Sequence, residues 1–250
     1  MDESKQPRQG PLRRWAKERP FLFLTAAILA ILLLMPLVSS RILKLILVEI
    51  NFVVVLGVAI SAAGYRKLFL RLIICFWVIT SALDAAAYLW GEGRAQGLLA
   101  FINDTSSVLF ILGCTIILLR HIFQTKEVSI NSVFAATSSY LLLALIWSYI
   151  YSLIYTLDPQ SFSMAHQAGP ATRIDMIYFS MVTISTLGYG DMTPVAPFAR
   201  MAASVEAVGG QLYLAVLMAW LVGLSLARRL ERQRKKAARI LASGRCRERQ

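Results

Sequence analysis

Residues that could make or break bonds occur in this sequence, but not in a useful arrangement. His121 and His166 stand far apart, Cys75, Cys114 and Cys246 are scattered, and neither a GxSxG nor an HExxH spacing occurs. The odd, dispersed cysteines support no disulfide framework and no metal site. The sequence therefore reads as a non-enzyme with no organic cofactor. One short stretch offers another kind of chemistry: TISTLGYGD, Thr183 to Asp191, with Gly188 and Gly190 on either side of Tyr189. Glycine admits backbone dihedrals that other residues resist, so this stretch can present its main-chain polar groups in unusual directions.

The elements that must hold this stretch are apolar helices. Of the 250 residues, 57% are hydrophobic and 16% charged, against about 25% charged in a soluble domain. A bilayer core about 30 Å thick needs about 20 apolar residues as a helix. Six runs qualify: Phe21–Val38, Leu43–Ala63, Leu68–Trp90, Leu98–Ile122, Val133–Tyr155 and Ala202–Leu226. The net charge of +12 is not a nucleic-acid footprint, because six basic residues precede Phe21 and ten follow from Arg228 onward. Charge that flanks an apolar core anchors a chain against anionic lipid. With both termini on the cytoplasmic side of a cell membrane, Arg66, Lys67, Lys126 and the tail fall inside, while Arg41, Lys44 and Arg94 fall outside. A second reading takes the basic leader and FLFLTAAILAILLLM as a cleaved signal peptide, leaving five spans.

Between the fifth and sixth spans about forty residues intervene, Leu157 to Arg200. Within them ATRIDMIYFSMVTIST, Ala171 to Thr186, is too short to span but long enough for one helix, with Asp175 in the first turn at the positive helix end. That helix must stop before Gly188. A segment that enters as helix and returns as extended chain is re-entrant, and non-helical backbone at membrane depth survives only inside protein or along a water-filled cavity. The polar backbone of this stretch is expected to face an aqueous pathway.

The run YFSMVTISTLGYGDMTP, Tyr178 to Pro194, resembles the pore helix and selectivity filter of the potassium channel family, and the likeness covers roughly Ile130 to Ala227. The family's usual valine is Leu187 here. The resemblance implies an all-α membrane fold, with six transmembrane helices, a re-entrant pore helix and a filter loop. It implies potassium ions bound by the carbonyls of Thr186, Leu187, Gly188 and Tyr189, with Gly188 and Gly190 turning successive peptides alike. The Thr186 hydroxyl would complete the innermost site, Tyr189 would pack against a neighbouring pore helix, and Asp191, braced by Tyr178, would form an outer acidic ring. Thr183 belongs with the supports of the filter. One loop per chain makes a quarter of a ring, so a homotetramer is implied.

Other residues carry open readings. Glu206 would brace the filter's back or the outer helix end, because an unpaired charge in a membrane is expensive. Gly209 and Gly210 are either a gating hinge or a site of close helix packing. Val182 reads as packing. A voltage sensor needs arginines every third residue of the fourth span, yet that span holds only Arg120 and His121 at one end, so steep voltage gating is not expected. Glu49, Asp84 and Asp104 each lie about 6–10 Å inside their own spans. They are expected to face one another and pair with Arg41, Lys44 or Arg94, either as a structural network or as an external cation or proton site.

The chain divides into a basic segment over 1–20, a four-helix peripheral bundle over 21–126, a pore domain over 127–227 and a basic tail over 228–250. The tail has a helical apolar repeat through Leu226, Leu230, Ala237 and Leu241 and is expected to lie as a helix on anionic lipid. The function expected is passive, potassium-selective conduction without nucleic-acid partners. The alternative is a non-conducting membrane subunit or sensor that keeps the pore fold for assembly.

Overall fold

The computed structural model describes residues 20–38, 40–63, 74–75, 78–79, 81–82, 94–124, 129–165 and 169–247. The described chain is mostly helical: α1 (Pro20–Leu34, followed by a 3-10 turn at Met35–Leu37), α2 (Arg41–Ala63), α3 (Arg94–Gln124), α4 (Ile130–Leu157), β1 (Phe162–Met164), α5 (Arg173–Ile184), β2 (Met192–Pro194) and α6 (Pro197–Arg247).

Four helices among the described residues are long and apolar enough to cross a membrane: Pro20–Leu37, Gly97–Gln124, Ile130–Leu157 and Pro197–Ala227. They match the expected first, fourth, fifth and sixth spans. The second expected span is a helix of 23 residues, but its apolar stretch runs only Ile46–Val58. Arg41, Lys44, Glu49 and Asn51 dilute its first half. The third, 68–90, lies mostly outside the described residues, where 74–75, 78–79 and 81–82 are helical.

Helix α4 is the hub. It packs against α3, α1, α5 and α6, while α2 closes the far side against α1 and α3. A membrane lends no hydrophobic drive between helices, so small and hydroxylated residues at contacts act as polar glue. Ala135, Ala136, Ser138 and Ser139 of α4 are buried in this way. Thr25 of α1 lies 2.8 Å, hydroxyl to hydroxyl, from Ser138, and Thr25 also donates to the carbonyl of Phe134 at 3.1 Å. The apolar core runs through Leu24, Ile28, Phe52, Phe110, Leu118 and Leu142. The ring of His121 packs 5.3 Å from that of Phe21.

Ser129 starts α4 with a reciprocal capping box to Ser132, which satisfies orphan amides of the first turn. The basic tail is helical as expected, but it is the uninterrupted continuation of α6. No break separates it from the span, so a separate helix folded down onto a surface is not what this chain forms. The two short strands pair antiparallel, Phe162 with Pro194 and Met164 with Met192. They tie the start of the α4–α5 connection to the segment that follows the glycine-rich loop.

Candidate functional site

The site is built on α5. Thr172 caps it: its hydroxyl oxygen accepts from the amide of Asp175 at 3.4 Å, and the Asp175 carboxylate accepts from the Thr172 amide at 2.7 Å. This box also places a carboxylate at the positive end of the helix. The helix runs from Arg173 to Ile184, inside the expected Ala171–Thr186. Met176, Phe179, Val182 and Ile184 are buried, so Val182 is packing, as read.

The end of α5 and the start of the loop are one structure. The amide of Thr186 donates to the carbonyl of Thr183 at 2.9 Å, and the amide of Leu187 donates to that of Val182 at 2.9 Å. Those two bonds, with a left-handed residue after the cap, form a Schellman ending. The left-handed position, usually glycine, is Thr186 with φ 57°. For a β-branched residue that conformation is an outlier that costs roughly 1–2 kcal/mol. Gly188 and Gly190 follow with φ 57° and 78°, and Thr186 is the sole non-glycine with positive φ among the described residues. The sign of φ therefore alternates along Thr186, Leu187, Gly188, Tyr189 and Gly190. In an ordinary strand successive carbonyls point to opposite sides. Alternating hand turns successive peptides the same way and groups like main-chain dipoles on one side.

Beyond the glycines, the Tyr178 hydroxyl donates to the Asp191 carboxylate at 2.7 Å. That bond pushes the Tyr178 phenol up to about 12. The Asp191 carbonyl accepts from the Ala165 amide at 2.9 Å, next to the β1–β2 pair. From Ser185 to Gly190 every residue is exposed in the single chain, Tyr189 at 67%.

Behind the loop, Glu206 of α6 is fully buried. Its carboxylate accepts hydrogen bonds from the hydroxyls of Tyr151 of α4 and Ser180 of α5. One acid thus joins three helices. Gly210 lies where α6 crosses the end of α5; a Cβ there would meet the Ile184 Cγ1 at 2.6 Å. Gly209 meets nothing within 4 Å. The two glycines differ accordingly, and α6 continues as helix through both. The Ile184 carbonyl also accepts from the Tyr140 hydroxyl of α4 at 2.9 Å. Gln211 donates to the Thr186 hydroxyl oxygen at 3.4 Å.

Of the three peripheral acids, Glu49 and Asp104 lie among the described residues. Asp84 lies outside the described residues. Glu49 accepts from the Ser81 hydroxyl at 2.6 Å. Asp104, 2% exposed, pairs with Arg173 at 2.6 Å, in place of the expected Arg41, Lys44 or Arg94. Arg173 also donates to the Tyr149 hydroxyl at 3.1 Å and lies 4.8 Å over that ring. Sequence reasoning passed over Arg173, though a signal existed. A cation in the first turn of a helix opposes the helix dipole and calls for an acid from elsewhere.

Residues 136–224, from within α4 to within α6, match the family model described as "Ion channel". This stretch of the chain is an ion-channel domain. Its match takes in α5, the glycine-rich loop and Glu206 together. Among known proteins, this chain is 35% identical over 68 residues to two-pore potassium channel 5 of Arabidopsis thaliana, covering 26% of this chain and 17% of that one. It is 41% identical over 49 residues to the inward rectifier potassium channel Kirbac3.1 of Paramagnetospirillum magnetotacticum, covering 20% and 17%. It is also 30% identical over 102 residues to the uncharacterized membrane protein YdjJ of Bacillus subtilis, covering 41% and 29%. The chain spans less than a third of the length of each of these relatives. No solved structure matches it. The ion-channel domain and its potassium-channel relatives agree with the family resemblance read from YFSMVTISTLGYGDMTP, and place the chain among multi-pass membrane proteins.

Proposed function

We propose that four copies of this chain form a potassium-selective channel in which Thr186–Gly190 of each copy is one quarter of the filter. The observation that carries this reading is the alternating backbone hand of residues 186 to 190 at the end of a capped helix. Carbonyls grouped on one side can replace the hydration shell of a cation, and a ring of them is needed to surround it. Thr186, Leu187, Gly188 and Tyr189 supply the carbonyls, and the Thr186 hydroxyl adds an oxygen at the inner end. The C-terminal ends of four α5 helices present partial negative charge toward the cavity below. Asp191, held by Tyr178, gathers cations at the mouth.

Assembly is supported by what the single chain leaves uncovered. The glycine-rich loop is exposed throughout, and 6% of the α6 span is buried against 56% of the α4 span. Neighbouring copies would cover Tyr189 and much of α6. The basic ends favour both termini on the cytoplasmic side, where Arg228 and Arg229 meet anionic lipid. With only Arg120 and His121 at the end of α3, opening does not depend steeply on voltage. Conduction is passive and uses no bound cofactor.

The test is a bilayer recording of the purified full chain under opposed potassium and sodium gradients. A reversal potential that follows potassium is expected. One that follows sodium overturns the reading, and silence from correctly inserted protein favours a non-conducting subunit.

A further inference from the structure

Helix α5 is fastened at both ends, and the two fastenings differ in kind. At the loop end it is held by Tyr140 and Gly210 around Ile184, all within residues 136–224. At its first residue it is held by Asp104, which lies outside that domain, in the middle of α3. We propose that Asp104 and Arg173 form the positioning contact through which the peripheral helices set the placement of the filter. The proposal rests on the conducting reading above.

Three observations carry it. First, Arg173 begins α5, where its charge opposes the helix dipole. Its guanidinium is therefore stabilised from outside, by the Asp104 carboxylate at 2.6 Å and by Tyr149 through hydroxyl and ring. Asp104 is 2% exposed and Arg173 28%, so removing the arginine leaves a buried carboxylate without its cation, while removing the acid leaves the guanidinium to Tyr149. Second, α5 is a rigid rod of 12 residues, about 18 Å long. The loop it carries is exposed at every position from Ser185 to Gly190 and hangs on the carbonyls of Val182 and Thr183. A displacement imposed at Arg173 is therefore carried along α5 toward Thr186, against the hold of Glu206 on Ser180 and of Tyr140 on Ile184.

Third, Arg173 borders a cavity on the side facing α2. This cavity, of about 30 Å³, is also lined by Asn51, Phe52, Tyr149 and Ile177. The Asn51 side-chain oxygen is buried there without a hydrogen-bond partner among the described residues. The Arg173 side chain, paired with Asp104, and the Asn51 amide oxygen thus border the same cavity. Helix α3 packs along α4, and the ion pair is its direct grip on α5.

The test uses the purified full chain and the variants Asp104→Asn, Arg173→Gln, Tyr149→Phe and the double variant Asp104→Asn with Arg173→Gln. Amide exchange is followed over residues 173–190, with the α1–α4 contact around Thr25 and Ser138 as internal reference. The single variants at 104 and 173 are expected to raise exchange over 173–190 by about tenfold or more, with the reference unchanged. The double variant is expected to be no worse than either single one, because the two residues act as a unit. Tyr149→Phe is expected to move exchange the same way by less, and serves if the charge variants fail to accumulate. In recordings, the same variants are expected to lower the potassium-over-sodium permeability ratio. Exchange that is unchanged, or raised equally at the reference, overturns the proposal, as does additivity in the double variant. Selective wild-type currents that persist unaltered in the variants also overturn it. A wild type that passes no current, with exchange still localised to 173–190, sinks the conducting reading and leaves the positioning contact standing.

Discussion

Gly210 stands against Ile184, the last residue of α5, so closely that a Cβ would lie 2.6 Å from its Cγ1 and 2.7 Å from its carbonyl oxygen. The second of those neighbours is backbone, which cannot rotate aside. The glycine is there to let α6 cross the end of α5, in the manner of small residues at membrane helix contacts.

Gly210→Ala is therefore expected to lose about 1–3 kcal/mol of stability, the scale of overpacking, and to shift the glycine-rich loop. Gly209→Ala, which meets nothing within 4 Å in the single chain, is expected to gain up to about 1 kcal/mol from helix propensity wherever no neighbouring copy packs against it. Thermal unfolding of the two purified variants checks the opposite signs. Equal behaviour would remove the distinction drawn between the two glycines.

Glu206 predicts a graded series. Glu206→Ala leaves the buried hydroxyls of Tyr151 and Ser180 without their acceptor, a loss of about 1–3 kcal/mol for each. Ser180 keeps a second acceptor in the Ala144 carbonyl at 2.7 Å, so Tyr151 bears more of the loss. Glu206→Gln keeps the shape and an acceptor oxygen and is expected to lose less. Denaturant unfolding in detergent should rank wild type above Gln above Ala.

Thr186 and Gly188 share a left-handed backbone at φ 57° but predict opposite outcomes. Thr186→Gly removes the strain of a β-branched residue and is expected to stabilise the chain by about 1 kcal/mol, while it weakens potassium binding by loss of the hydroxyl. Gly188→Ala meets no atom within 4 Å in the single chain, so within the chain its penalty of roughly 1–2 kcal/mol comes from the backbone. Potassium-dependent melting separates the two effects. A Thr186→Gly variant that melts lower and binds potassium as tightly as wild type would contradict both parts.

The Tyr178–Asp191 bond is predicted to outlast ordinary pH changes. The phenol is held up to about 12, first by the hydrogen bond to Asp191. A raised pKa in the folded chain means the contribution is complete below about 10, the phenol's own value, and is lost as pH rises through about 12. Currents should keep their selectivity from neutral pH to about 9 on this account, whereas Tyr178→Phe should shorten open periods by less than about tenfold, the scale of one hydrogen bond. A wild type that mimics Tyr178→Phe at pH 9 would refute the assignment.

Much of this was legible in the sequence because periodicity and punctuation are local properties. Long apolar runs announced α1, α3, α4 and α6, Asp175 announced the start of α5, and the glycines announced its end. The strand pair FSM with MTP was not foreseen, because three-residue strands carry too little alternation to register. Nor was the left-handed Thr186 foreseen, although it stands in phase with Gly188 and Gly190. The partner of Asp104 was sought among cations close along the chain, and it came instead from Arg173, 69 residues away.

By itself the sequence determined that this chain has apolar helices long enough to cross a membrane and a glycine-punctuated loop resembling that of the potassium channel family. Hydrophobic length, helix caps and glycine dihedrals depend on neighbours within a few residues, so they can be read along a line. Only the tertiary structure decided which charges meet, which glycine is packed and which acid joins three helices. Those outcomes depend on how α3, α4, α5 and α6 lie against one another, and a buried charge takes whichever partner the packing brings within reach.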